Sequence, residues 1–141
     1  MSVSSLLLPV FVEVGLTFVL FFWMASLRTK ALSSGAVKPD DISLRQQRWP
    51  TRATQVANCF HNQLELPMLL YVVVALILIT STNSFIFVLL AWVFVLARLA
   101  HAYVHTGYND VYHRAVCLGV GAIALAVMWA IFAIRILVSG A

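Results

Sequence analysis

Residues 54–79 read TQVANCFHNQLELPMLLYVVVALILI, and residues 85–105 read FIFVLLAWVFVLARLAHAYVH. Both are long and apolar, yet each carries a polar stripe. The first stripe is Asn58, His61, Asn62 and Glu65; the second is Arg98, His101 and His105. At about 100° per residue, each set falls within a narrow arc of one helical face. Ionisable groups at membrane depth are costly and normally face a bundle interior or a water-filled cavity. The two stripes therefore predict one shared polar site inside a bundle of membrane helices.

The rest of the chain agrees with that frame. Of its 141 residues, 62% are hydrophobic and 10% charged, where a soluble domain carries about 25% charged residues. This deficit, with four apolar runs, predicts an all-α integral membrane four-helix bundle. The expected spans are about 6–27, 54–79, 85–103 and 115–138, in one domain covering residues 1–141. The N-terminal run lacks the basic start of a cleavable signal and is expected to remain as the first span. Residues 33–47, with Ser33-Ser34-Gly35 and Pro39-Asp40-Asp41, read as a flexible loop.

Nine Lys or Arg against five Asp or Glu make the chain basic, but the charge is concentrated in the first loop. Arg28, Lys30, Lys38, Arg45, Arg48 and Arg52 all lie there, whereas the turn at 81–84 has no cation. That asymmetry is a topology signal, with attraction to anionic headgroups in addition, and argues against nucleic acid as a partner. With His113 and Arg114 in the third loop, it places both termini on the non-cytoplasmic side and the polar stripes toward the cytoplasmic half. Cys59 and Cys117 have no CxxC partner and read as small buried apolar residues.

Single residues can be weighed on the same grounds. Glu13 and Arg135 lie at similar depth in spans one and four and are expected to pair. Glu65 and Arg98 form a second candidate pair near mid-depth, where loss of one partner costs about 3–5 kcal/mol. Pro67 removes a backbone hydrogen bond and kinks span two, as simple packing or as an opening beside Glu65. His101 and His105, at i and i+4, could offer two imidazoles to a metal with His61, His113 or Glu65. However, lone pairs at this spacing are common by chance, and no metal is assigned. Arg114 opens span four, where its guanidinium and the helix-start N–H groups suit an anion. An ordinary flanking arginine is the alternative. Tyr108, Asn109 and Tyr112 stand nearby with further hydrogen-bonding groups.

At these residues the chain resembles the MAPEG family, the membrane-associated proteins in eicosanoid and glutathione metabolism. The matching segments are Arg28-Thr29-Lys30, Asn62-Gln63-Leu64-Glu65-Leu66-Pro67 and Arg98-Leu99-Ala100-His101, followed by Arg114. Their order, spacing and helix placement carry the likeness over nearly the whole chain. The resemblance implies a homotrimer with glutathione bound between subunits near the cytoplasmic face. By position, Arg28, Asn62, Glu65, His101 and Arg114 would be glutathione ligands. Arg114 would take the catalytic role of stabilising the thiolate. A free thiol has a pKa of about 8.5 and is mostly protonated at neutral pH, so a fixed cation favours the nucleophilic form. Arg28 and Arg114 are also suitable forks for glutathione's carboxylates.

Departures from the family's eukaryotic enzymes are visible. Those enzymes often carry arginines where this chain has Asn58 and His61, and a tyrosine where it has His105. Some have a serine where it has Ala115. The pattern is closer to the poorly characterised bacterial branch than to the eicosanoid synthases. The expected activity is a glutathione transferase or peroxidase acting on lipophilic small molecules that partition from the lipid bilayer. Two rivals stay open: a non-catalytic binding or structural protein on the same scaffold, and a metal-dependent membrane enzyme using His101 and His105.

Overall fold

The computed structural model describes residues 2–42 and 48–139. Residues 43–47, part of the expected first loop and the site of Arg45, lie outside the described residues. Helix α1 spans Val3–Ser33, with Ser2 as its N-cap accepting from the Ser5 N–H at 3.3 Å. Its 31 residues measure roughly 46 Å at the α-helical rise, more than a hydrocarbon core of about 30 Å needs. The last turns, with Arg28 and Lys30, therefore continue the helix past the apolar segment read as span one. Gly35 then takes φ +72° and its N–H bonds the Leu32 carbonyl, which turns the chain. A 3₁₀ turn follows at Pro39–Ile42, so the expected loop is locally structured there.

The second crossing is broken. Helix α2 spans Thr51–His61, a 3₁₀ turn covers Asn62–Leu64, and helix α3 spans Leu66–Ile79. At the junction Glu65 leaves helical geometry, with φ −100° and ψ −100°, and Pro67 occupies the first turn of α3, where its missing N–H is tolerated. The kink expected at Pro67 is thus a full interruption. Helix α4 spans Phe85–Thr106 and helix α5 spans Val111–Ser139. Four segments, Val3–Ser33, Thr51–Ile79, Phe85–Thr106 and Val111–Val138, are long and apolar enough to cross a membrane. The described residues are helices and connecting turns, with no strand among them. The chain is a multi-pass integral membrane protein.

Helix α4 is the hub, packing on α5, α1 and α2. Half of its apolar window is buried, against 22% for α1 and 28% for α5, so the large apolar side chains of α1 and α5 are left for lipid or other chains. Toward the α3–α4 turn, Leu6, Leu70, Ile77, Phe87, Phe94 and Met128 fill one apolar layer. Toward the opposite end, Leu20, Cys59 and Ala102, and then Met24, Val56 and Ala57, fill smaller ones. In lipid such layers hold by close packing more than by water exclusion. Gly121 of α5 accordingly lies against Ala97 and Phe94 of α4.

The buried charges pair differently from the expectation. Glu13 is fully buried and faces Arg98, with Nε to Oε1 at 3.8 Å. Arg135 is exposed; it donates to the Thr82 carbonyl at 3.2 Å and stacks over Phe87. The physical reason is rotation. Glu13 lies on the face of α1 turned to the core, whereas Arg135 sits at the level of the α3–α4 turn, where a free carbonyl awaits it.

Candidate functional site

The polar residues gather where the C-terminal end of α4, the start of α5 and the start of α2 meet. Helix α4 presents its stripe inward as expected: Arg98, His101 and His105 are each 1–2% exposed. Helix α2 divides its stripe. Asn62 is half-buried and Gln63 buried, but His61 and Glu65 are exposed on the outside of the bundle, as is Asn58, which also borders a cavity. The face of α2 turned to the core carries Ala53, Val56, Ala57 and Cys59, and Asn58 and His61 fall on the opposite face at helical spacing. Gln63, four residues after Cys59 and seven after Val56, lies on that buried face, and the break at Glu65 leaves that carboxylate outward. Glu65 is therefore not the partner of Arg98.

Inside, the contacts form one connected set. Arg98 Nη2 donates to the Asn62 carbonyl at 2.8 Å and to Gln63 Oε1 at 3.1 Å. The Asn62 amide lies 3.5 Å from His101 Nε2, and His101 Nδ1 lies 3.1 Å from the Arg114 carbonyl. A carbonyl only accepts, so His101 carries its proton on Nδ1 and receives the Asn62 N–H on Nε2. His105 packs edge-on against His101, with ring centroids 5.6 Å apart. Both ring nitrogens of His101 are engaged. Among the described residues, no three His, Cys, Asp or Glu side chains come together to hold a metal ion.

Next to this set lies a polar cavity of about 300 Å³, lined by Trp49, Thr51, Thr54, Gln55, Asn58 and Asn109. An arginine stands one contact behind each of two lining residues. Arg28 stacks over Trp49 at 4.9 Å, and Arg114 Nη1 donates to Asn109 Oδ1 at 2.9 Å. The Nε of each of these arginines is enclosed and has no protein partner. Asn109 adopts φ +54°, a left-handed conformation that Asn tolerates better than most residues, and its N–H closes on the Val104 carbonyl. The α4–α5 turn thus sets the acceptor that holds Arg114.

The helix-start N–H groups of α5 are less open to an anion than the sequence suggested. Asp110 caps the His113 N–H at 2.8 Å and pairs with the His113 ring at 3.0 Å. The guanidinium of Arg114 is left as the main anion-binding group there. Of the five expected ligands, Asn62, His101 and Arg114 are joined by direct contacts, and Arg28 is linked to the cavity through Trp49. Glu65 is exposed and makes no direct hydrogen bond or ion pair with them among the described residues.

Sequence reasoning passed over Trp49, Arg52, Gln55 and Gln63. Gln55 Nε2 bonds the carbonyls of His105, at 2.7 Å, and Gly107, at 3.4 Å, which fastens α2 to the end of α4. Arg52 donates to the Thr106 carbonyl and stacks over Trp23 at 4.9 Å. A signal for Gln55 existed: Thr51, Gln55, Asn58 and Asn62 extend the polar stripe of α2 toward its start at helical spacing.

A model of the MAPEG family matches residues 6–134, nearly the whole chain. No curated protein and no solved structure matched it.

Proposed function

The chain belongs to the MAPEG family, and from that premise we propose that it binds glutathione and acts as a transferase or peroxidase on lipophilic electrophiles. The observation that carries this reading is the polar cavity with a cation behind each of two lining residues, Arg28 through Trp49 and Arg114 through Asn109. Glutathione offers two carboxylates, an amine and a thiol, and needs separated cations of this kind. Arg114 stabilises the thiolate, because a fixed cation held by Asn109 lowers the free energy of the charged sulfur without reorganising. Arg28 holds a carboxylate. Asn62 positions the peptide, and His101, fixed in one tautomer by the Arg114 carbonyl, acts through Asn62.

The second substrate reaches the thiolate from the bilayer, along the exposed apolar surfaces of α1 and α5. In transfer, the sulfur attacks an electrophilic carbon and the leaving group departs with its electron pair. In peroxide reduction, the thiolate attacks one oxygen of a hydroperoxide and the O–O bond breaks, the alkoxide leaving with its electron pair and taking a proton. The sulfenic acid so formed condenses with a second glutathione to give the disulfide and water.

We further propose that the working form is a homotrimer, with the site between subunits. Support comes from His61 and Glu65, which are exposed on the outside of a membrane-crossing segment. An ionisable side chain facing lipid at that depth is costly, whereas one facing a neighbouring subunit is not. Glu65 then meets the glutathione amine from across that boundary. The concentration of basic residues in the first loop supports a cytoplasmic location for the site.

The test is an ultraviolet difference spectrum of the detergent-solubilised protein titrated with glutathione at neutral pH, beside Arg114→Ala. The wild type is expected to give a saturable thiolate band, and the variant to bind without it. A band that persists in the variant removes Arg114 from the thiolate role. Absence of binding at millimolar glutathione sinks the glutathione reading.

A further inference from the structure

Glu13 takes no part in the site as described, yet it is fully buried in a membrane helix, where a carboxylate is expensive. Its place is explained by the break between α2 and α3. Pro67 has no N–H to offer the Gln63 carbonyl, and the departure of Glu65 from helical backbone interrupts the ladder around Asn62. Arg98 braces this break from α4, with Nη2 donating to the Asn62 carbonyl and to Gln63 Oε1.

A guanidinium only 1% exposed is tolerable there only opposite a counter-charge. Glu13, from α1, is that counter-charge. Arg98 in turn holds Asn62 from behind, through its backbone, while the Asn62 side chain faces His101. A contact path therefore runs from Glu13 through Arg98, Asn62 and His101 to the backbone of Arg114.

We propose that Glu13 is a positioning residue: its charge keeps Arg98 seated on the α2–α3 break, and this sets where Asn62 and His101 stand. The effect on ligand rests on the glutathione reading above; the effect on His101 does not.

The experiment separates the two. Protein labelled with ¹⁵N-histidine is examined by NMR in micelles without ligand, as wild type and as Glu13→Gln, which keeps the shape and removes the charge. The ring nitrogens of His101 are expected to shift in the variant, while those of the exposed His61 and His113 stay in place. Glutathione affinity is expected to fall about tenfold, the scale of one weakened charge-assisted hydrogen bond. A folded Glu13→Gln with His101 unmoved overturns the proposal. Should that variant fail to fold, Gln63→Leu loosens Arg98 from the break while leaving Glu13 opposite it. A partial shift of His101 is then expected, and an unmoved His101 overturns the proposal equally. A shift of His101 in a protein whose wild type binds no glutathione upholds the positioning role and defeats only the glutathione reading.

Discussion

Arg98 and Arg114 lie on consecutive helices and touch the same small network, but they are held in opposite ways. Arg98 is sealed in the interior, opposite Glu13, with Nη2 committed to Asn62 and Gln63. Arg114 is half-buried at the start of α5, anchored by one bond to Asn109, with its Nε free of protein partners. The lesson is that a guanidinium sealed in the interior opposite a buried carboxylate is architecture, even with Nε and Nη1 outside any hydrogen bond. A half-buried cation outside that seal, with an unpartnered nitrogen beside a polar cavity, can serve a ligand. Charge alone does not distinguish the two.

Removing each arginine puts that comparison at risk. Arg98→Ala leaves Glu13 buried without its counter-charge and should cost about 3–5 kcal/mol, read as a large fall in the unfolding midpoint in mixed micelles. The paired change Glu13→Leu with Arg98→Met removes both charges and should recover most of that loss, since apolar replacement of a buried ion pair is often near neutral. A double variant as unstable as the single one would show that the Arg98 bond to the Asn62 carbonyl, rather than charge balance, dominates.

Gln55→Leu deprives the His105 and Gly107 carbonyls of a donor and should cost about 1 kcal/mol, seen as a modest drop in the same midpoint. Arg114→Ala should change stability least, by about 0.5 kcal/mol or less, while abolishing the glutathione thiolate band. If Arg114→Ala destabilised the protein as much as Arg98→Ala, the contrast between the two residues would collapse.

The four crossings were legible because hydropathy is a local property, summed along each segment. Even so, α1 runs on through Arg28 and Lys30 to Ser33, since a helix ends where its backbone turns and not where its apolar residues stop. The break at Glu65 was legible as a kink from Pro67. What could not be read was rotation. Period alone places Glu13 on some face of α1, but which helix that face meets depends on packing, so its partnership with Arg98 emerged only from the fold. The same holds for Gln63, which lies beside the marked stripe in sequence but shares the face of Val56 and Cys59, and that face is the one α2 turns to the core. His101 and Arg114 were legible as a pair of interest, but their contact is through the Arg114 carbonyl, an atom that residue type does not announce.

The two stacked pairs, Arg28 on Trp49 and Arg52 on Trp23, tie the end of α1 to the start of α2. Tryptophan favours the headgroup zone of a bilayer, and arginine favours the water just beyond it. In the membrane placement proposed above, such pairs would serve as a flotation line, setting how deep the bundle rides. Since Trp49 is also part of the cavity wall, that placement would set the mouth of the cavity at headgroup level, where a water-soluble molecule and one dissolved in the bilayer arrive at the same height.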